Sequence, residues 1–261
     1  MIDVSAYLGH FAFRQIRHNT GAGLVRFMDR FGIDRAVVGS AAAITYRNPQ
    51  PGNEEVAAEV EAHRSRLIPF AVLSPAYAGW QDDLKICHEQ FGMKGLRLYP
   101  KWHNYTLADP RCRALVNAAA ERRMVVSIPV RVEDRREQGW LVDIPDLEMD
   151  EIAGLIRACP KARFIVANGS GIADSVLGRK NSGMPDNYAV DISRLSVEFA
   201  NELGQLLEIL GEDRLLFGTG MPFHYPGPAM AKIEILQASH TVKAKIRAGN
   251  AARWLELPAE R

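Results

Sequence analysis

The chain has 261 residues, a formal net charge of +1, 47% hydrophobic residues and 24% charged residues. That length accommodates one large α/β barrel or two small domains. A charge so close to zero gives no general attraction to nucleic acid or to an acidic membrane surface, so we predict neither partner.

Cysteine usage and hydropathy indicate the cellular compartment. Cys87, Cys112 and Cys159 are far apart and form no CxxC pair. Their helix-like segments are typical of small buried side chains in a reducing compartment, not of a metal or redox site. The sequence has no apolar run of membrane-spanning length and no basic-then-apolar leader. We therefore expect a cytoplasmic protein.

Short apolar strands alternate with amphipathic helices along the whole chain. Near-continuous apolar strands suit a parallel sheet that is buried on both faces. In chain order, the predicted strands and the segments that follow them are 2–7 and helix 21–31, 35–39 and helix 53–66, 67–73 and helix 80–91, 93–99 and helix 110–123, 124–130 and helix 150–159, 163–167 and the irregular segment 172–180, 188–192 and helix 198–210, and 215–217 with helices 228–238 and 242–255.

Residues at the helix ends support these boundaries. Gly32 is a C-cap signal, Asn53 is predicted to begin the second helix, and Asp109 before Pro110 is an N-cap. Eight strands in this length predict an α/β fold, a (β/α)8 TIM barrel, as a single domain over residues 1–261. The main rival is an open doubly wound sheet, which would need a Gly-rich phosphate turn that residues 8–10 do not supply.

Several segments resemble the amidohydrolase-related (amidohydrolase 2) family. Residues 214–223, Arg-Leu-Leu-Phe-Gly-Thr-Gly-Met-Pro-Phe, resemble its eighth-strand motif F-G-S-D-x-P-F. The other matching segments are Ile-Asp-Val at 2–4, Leu-Gly at 8–9, Phe-Arg at 13–14, Gly-Ile-Asp-Arg-Ala-Val-Val at 32–38, Lys-Gly-Leu-Arg-Leu-Tyr-Pro at 94–100 and Gly-Asn-Ala-Ala-Arg at 249–253. The resemblance implies a TIM barrel with its site at the C-terminal ends of the strands.

The resemblance also implies where a metal ion would bind. The family's His-x-His on the first strand falls on Ser5 and Tyr7, its sixth-strand His on Asn168, and its eighth-strand Asp on Gly220. The fifth strand has no His. Zinc-type sites need at least three nitrogen, sulfur or carboxylate ligands. We therefore expect no metal site of the family type and no cofactor.

Arg97 is the first candidate for ligand binding. Its neighbours Leu96 and Leu98 suit the helix layer outside a barrel, so Arg97 is predicted to point inward. A buried Arg needs an anionic partner. Two alternatives stay open at this point: a ligand carboxylate, or a structural ion pair with Asp3 or Asp191.

Further candidates follow the strand ends, where TIM-barrel ligands bind. Trp102 and His103 suit a pocket wall, although ordinary loop packing is equally compatible with them. Arg131 could add a cation or be a solvated loop charge. The predicted substrate-binding residues are Arg97, Tyr7, Tyr99, Trp102, His103, Arg131, Asn168 and Tyr225.

Three residues are predicted to transfer protons. His224 is the best placed, in the loop after the eighth strand, because an unperturbed imidazole suits either direction of transfer. His10 follows the first strand. Asp191 ends the seventh strand and could act as a base or simply hold Arg97.

Two functional hypotheses follow. The first is a metal-independent, hydrolase-like enzyme that cleaves a small carboxylate-bearing substrate at the barrel mouth. The second is a catalytically inactive relative that serves as a ligand-binding or subunit-interaction module. The expected partner is a small-molecule carboxylate, and a homo-oligomer is compatible with the sequence.

Overall fold

The structure, a computed structural model, describes residues 1–134 and 136–258. Eight strands alternate with helices in that part of the chain. They are β1 Ile2–Leu8, β2 Arg35–Ser40, β3 Leu67–Val72, β4 Gly95–Arg97, β5 Val125–Pro129, β6 Phe164–Ala167, β7 Tyr188–Asp191 and β8 Leu215–Leu216. The predicted domain 1–261 includes residue 135 and residues 259–261, which lie outside the described residues.

The strands form one parallel sheet in sequence order, β1 to β8. Two main-chain hydrogen bonds join its edges: Val4 N donates to Phe217 O at 3.0 Å, and Tyr7 N donates to Met221 O at 2.8 Å. The sheet therefore closes on itself, and the predicted (β/α)8 barrel is confirmed. A register shift between Asp3 and Ala6 interrupts the side-chain alternation of β1.

The helices surround the strands. They are α1 Gly21–Asp29, α2 Gln50–Glu61, α3 Trp80–Glu89, α4 Pro110–Glu121, α5 Met149–Ala158, α6 Glu202–Leu210, α7 Gly227–Ile235, α8 His240–Ala244 and α9 Asn250–Trp254, with 3-10 turns at Ala42–Ile44 and Ile192–Arg194 and a π-helical turn at Lys245–Gly249. Within the described ranges, none of these helices is long and apolar enough to cross a membrane.

Two helix starts differ from the sequence prediction by three or more residues. Helix α2 begins at Gln50, because Asn48 Oδ1 accepts from its backbone N–H at 3.1 Å and Pro51 suits a first turn. Asn53 is therefore buried inside the helix, where its amide bonds both backbone groups of Val72. Helix α6 begins at Glu202, four residues later than predicted, and the buried Glu202 carboxylate accepts from Ile172 N at 2.6 Å.

The inner space of the barrel is filled along its length. Its lower part, near the N-terminal ends of the strands, holds aliphatic and aromatic side chains such as Val4, Phe70 and Ile165, and Trp254 of α9 packs against them. A larger apolar layer separates the strands from the helices. The C-terminal mouth is built differently and positions the candidate site.

Candidate functional site

An aromatic plug occupies the centre of the barrel mouth. It consists of Tyr7, Phe11, Tyr99, Trp102 and Phe223, which belong to one hydrophobic cluster. The Phe223 ring lies 4.9 Å from the ring of Tyr7 and 5.0 Å from that of Phe11. The Phe11 and Trp102 ring centroids are 5.9 Å apart. Polar clefts therefore lie around the rim of the mouth, with the plug between them.

Arg97 lies beneath the plug and points into the barrel, as the flanking leucines predicted. It is 1% exposed; its Nη1 donates to Ala6 O at 2.8 Å and its Nη2 to Val4 O at 3.3 Å. Its guanidinium carbon is 4.7 Å from the centroid of the Tyr7 ring, a cation–π contact. Backbone carbonyls and an aromatic face therefore stabilise this cation.

The alternative in which Arg97 forms an ion pair with Asp3 or Asp191 is wrong. In the described chain, neither Asp3 nor Asp191 lies within ion-pair distance of its guanidinium. Each carboxylate instead accepts hydrogen bonds from groups that follow the last strands. Asp3 accepts from Thr219 N at 3.1 Å, and Asp191 accepts from Ser193 N at 2.6 Å.

Burial controls the charge of these two carboxyl groups. Desolvation raises the pKa of Asp3 to about 6, against hydrogen bonds from Thr219 and Ser5 that lower it, and the nearby Asp191 raises it further. Desolvation also raises the pKa of Asp191, while bonds from Ser193 and Asn168 oppose the shift. Asp191 is completely buried and lines none of the rim clefts described below, so a substrate there does not reach it.

The resemblance implies positions at which the family's metal ligands would lie. In this chain, residues at those positions form hydrogen bonds with one another or with backbone groups. Ser5 Oγ accepts from Gly220 N at 3.1 Å. Asn168 Nδ2 donates to the carbonyls of Arg131 and Val132, at 2.7 and 3.1 Å. Gly220 has φ +72°, and a Cβ built there would lie 2.7 Å from Cδ2 of His224. The His224 ring thus occupies the space beside the glycine.

The donor set does not fit a metal ion. Across residues 1–134 and 136–258, no three His, Cys, Asp or Glu side chains converge in an arrangement that could hold one. The two buried carboxylates, Asp3 and Asp191, have hydroxyl and amide neighbours, and Zn²⁺ and related ions need at least one more charged or imidazole ligand here.

A first rim cleft, the β7/β8 cleft, lies at the ends of β7 and β8 and has a volume of about 260 Å³. It contains one imidazole and one guanidinium, supplied by the loops after the two strands. Its lining residues are Glu137, Ser193, Arg194, Thr219, Phe223, His224, Tyr225, Pro228 and Ala229.

His224 is held neutral in this cleft. Its side chain is 14% exposed, with Nδ1 3.9 Å from Glu137 Oε2. Its Nε2 is buried without a hydrogen-bond partner among the described residues. Burial, and then the cations Arg194 and Arg14, lower the pKa of His224 to about 4. Because Nε2 is enclosed and Nδ1 lies toward Glu137, a residue of the cleft lining, Nδ1 is the nitrogen that faces the cleft.

Arg194 is the cleft's cation, and sequence analysis missed it. Its side chain is 23% exposed; Nε donates to Asn168 Oδ1 at 3.1 Å and Nη2 to Asp134 Oδ2 at 3.3 Å. In the described chain no bond involves its Nη1. Its position three residues after the carboxylate that ends β7 was the available signal.

A second rim cleft, the β2–β4 cleft, lies across the plug and has a volume of about 640 Å³. Two predicted residues, Trp102 and His103, line it. His103 Nε2 is 3.0 Å from Ala43 O, and burial lowers the pKa of the ring. The lining residues are Thr45, Tyr46, Arg47, Ser74, Ala76, Tyr77, Ala78, Trp102, His103 and Asn104.

The remaining predicted residues are dispersed. Arg131 Nη2 pairs with Asp146 Oδ2 at 2.9 Å in a narrow cleft that Tyr99 also lines. His10 is exposed and lines none of these three clefts. Tyr225 is 61% exposed, and its ring packs edge-on against Phe31 at 4.9 Å. Three groups of predicted residues are brought together, in separate clefts: His224 with Tyr225, Trp102 with His103, and Tyr99 with Trp102 and Arg131.

Solved structures with the same fold include several decarboxylases. They are the 2,6-dihydroxybenzoate decarboxylase from Rhizobium (16% identity, TM-score 0.66, 90% of this chain and 87% of that chain), the 5-carboxyvanillate decarboxylase from Sphingomonas paucimobilis (18%, 0.68, 90% and 82%) and a dihydroxybenzoic acid decarboxylase from Polaromonas sp. with bound manganese and the inhibitor 2-nitroresorcinol (17%, 0.68, 98% and 96%). At these identities the likeness shows the fold alone.

The sequence itself decides the family. The model of the family described as Amidohydrolase matches residues 12–257, nearly the whole chain. That match agrees with the resemblance of the strand-end segments and with the closed eight-stranded barrel. This chain belongs to the amidohydrolase family.

Proposed function

We propose that this chain acts on a small carboxylate-bearing substrate in the β7/β8 cleft without a metal ion. One observation carries the proposal: a neutral imidazole, His224, and a cation, Arg194, face the same cleft at the C-terminal ends of adjacent strands. That end of a TIM barrel is where active sites lie. The pair supplies an anion clamp and a proton acceptor.

Arg194 is the proposed clamp. A guanidinium has five N–H donors, and Nε and Nη2 already hold Asn168 and Asp134. These two bonds orient the side chain, so that Nη1 and part of Nη2 can bind a carboxylate with little further ordering. Arg97, the clamp expected from the sequence, is enclosed beneath the plug.

His224 is the proposed proton-transfer residue. Its Nδ1 accepts a proton when the ring is neutral, as its lowered pKa makes it at neutral pH. Arg194 is one of the charges that lower that pKa. A bound carboxylate would offset this charge and raise the pKa of His224 toward the operating pH, where an imidazole is most effective.

Metal independence rests on the donor set. The Polaromonas relative was solved with bound manganese. The resemblance puts the family's metal-ligand positions at Ser5, Tyr7, Asn168 and Gly220 of this chain, and protein hydrogen bonds connect three of them with backbone groups. By analogy with the decarboxylases from Rhizobium and Sphingomonas paucimobilis, the substrate is an aromatic carboxylate. In a decarboxylation the bond between the ring carbon and the carboxylate breaks, CO2 leaves, and His224, protonated once the bound carboxylate has raised its pKa, delivers its proton to the ring carbon. In a hydrolysis the neutral His224 accepts the proton of the attacking water.

The test combines elemental analysis with turnover. Purified protein is expected to contain no stoichiometric Zn or Mn and to convert a member of an aromatic carboxylate panel, including 2,6-dihydroxybenzoate, equally well with and without EDTA. His224→Gln should lower kcat by about 10²–10³-fold, and Arg194→Gln should raise KM by about tenfold. Arg113→Gln, at an exposed cation on α4, is the matched control. Stoichiometric metal, or turnover that EDTA abolishes, would contradict the proposal.

A second candidate, a non-catalytic ligand-binding relative, is favoured by the aromatic plug. The plug fills the axis of the barrel where a substrate would reach the interior, and Arg97 already has partners. Saturable binding of the same carboxylates with no turnover of any of them, and with unchanged affinity in His224→Gln, would establish this candidate instead.

A further inference from the structure

The β2–β4 cleft has the dimensions and composition of a small-molecule site. Its volume of about 640 Å³ lies within the range of about 300–1,000 Å³ typical of ligand pockets. The loops that follow three successive strands, β2, β3 and β4, supply its lining. Four ring-bearing side chains line it: Tyr46, Tyr77, Trp102 and His103.

The charge of this cleft is positive. Arg47 is its sole cationic lining residue apart from any protonated imidazole, and no lining residue is acidic. The Arg47 side chain is exposed, and across the described ranges no carboxylate lies within ion-pair distance of it. A guanidinium that has no carboxylate partner and stands beside aromatic rings suits a planar anion, which it can contact in the plane of its N–H groups.

Two of the four rings, those of Trp102 and His103, are already held in place. The Trp102 ring lies 5.9 Å from Phe11 and 6.0 Å from Phe13, and both contacts hold its orientation. The His103 ring is held by Ala43 O at 3.0 Å and lies 6.1 Å from the Tyr99 ring. Because these rings are ordered before a ligand arrives, stacking on them costs little side-chain entropy.

The plug separates this cleft from the β7/β8 cleft, and the two share no lining residue. We propose that the β2–β4 cleft is a second, independent binding site for a planar aromatic carboxylate, with Arg47 as the anion contact and Tyr46, Tyr77 and Trp102 as the stacking wall. This site does not depend on turnover in the β7/β8 cleft.

The experiment measures calorimetric binding of benzoate, 1-naphthoate and neutral benzamide. Binding is measured in the full chain and in Arg194→Gln, where the other cleft has lost its clamp. In Arg194→Gln we expect one remaining site that binds benzoate with a Kd of about 1 mM. The Kd for 1-naphthoate should be lower because its ring area is larger, and the Kd for benzamide should be about tenfold higher than that for benzoate.

Variants then locate that remaining site. Arg47→Gln in the Arg194→Gln background should weaken benzoate binding about tenfold. Tyr77→Ala should weaken 1-naphthoate more than benzoate, and Arg113→Gln should change neither. Thermal melts check that each variant is folded. Loss of all saturable binding in Arg194→Gln, or equal affinity with and without Arg47, would overturn the second site. If the single variant Arg47→Gln loses all saturable binding, the second site stands and the proposed clamp Arg194 in the β7/β8 cleft is contradicted.

Discussion

The two ends of the barrel interior use opposite strategies. The lower end is an apolar core, with Val4, Phe70 and Ile165 packed under Trp254. The mouth contains Arg97, Asp3 and Asp191 as completely or nearly completely buried charged or ionisable groups. The lower end therefore gains stability from burial alone, whereas the mouth offsets the cost of burying polar atoms with specific hydrogen bonds. Arg97, Asp3 and Asp191 have such bonds, whereas Nε2 of His224 is buried without one among the described residues.

The largest expected effect lies at the apolar end. Phe70→Ala removes a fully buried ring and leaves a cavity, so the free energy of unfolding should fall by about 3–5 kcal/mol. Urea denaturation measures the loss. Phe223→Ala, in the plug, is the comparison, and its loss should be smaller because water can reach the vacated space. Equal losses would show that the mouth is packed as tightly as the lower core.

The next effect is a pH dependence at the mouth. The pKa of Asp3 is about 6 in the folded chain, above its ordinary value of 3.8, so the folded state binds the proton more tightly. Stability from this group is present below about pH 4 and is lost as the pH rises through about 6, by up to about 3 kcal/mol.

Denaturation at several pH values in wild type and Asp3→Asn isolates this contribution. The variant should lose the falling slope between about pH 4 and 6. A slope that is unchanged in Asp3→Asn would assign it to another group, and Asp34→Asn, at an exposed carboxylate paired with the N-terminus, controls for general charge effects.

His224 should give a slope of the opposite sign. Its folded pKa of about 4 lies below the ordinary 6.5, so the unfolded chain binds the proton more tightly. Stability should rise between about pH 4 and 6.5, by up to about 3 kcal/mol. His224→Gln should remove that rise, and NMR titration of the ring measures the pKa directly. A ring that titrates near 6.5 would contradict its burial among cations.

The smallest effect is expected at Arg97. Arg97→Met keeps much of the side-chain volume and removes a buried charge, but it leaves the carbonyls of Val4 and Ala6 without this donor. Removing the buried charge favours folding and leaving the two carbonyls unpaired disfavours it, so the free energy of unfolding should fall by only about 1 kcal/mol. Arg97→Ala, which also leaves a cavity, should lose more. A large loss in Arg97→Met would show that the cation itself organises the mouth.

Much of the fold could be predicted from the sequence because its signals are local. Apolar strands, helix caps such as Asp109 and the turn at Gly32 depend on neighbours in the chain, and all eight strands were found. The inward direction of Arg97 followed from the leucines beside it. The register shift between Asp3 and Ala6 in the pairing of β1 with β2, by contrast, has no signal in the sequence.

The site could not be predicted to the same degree, because it depends on distances between loops. That the resemblance places Ser5, Asn168 and Gly220, and no histidine or carboxylate, at the family's metal-ligand positions can be read from the sequence alone. Only the closed barrel decides that aromatic rings fill the centre of the mouth, and that Arg194, not Arg97, shares a cleft with His224. The physical reason is that side-chain chemistry is local, whereas exposure and charge partners are properties of the packed whole.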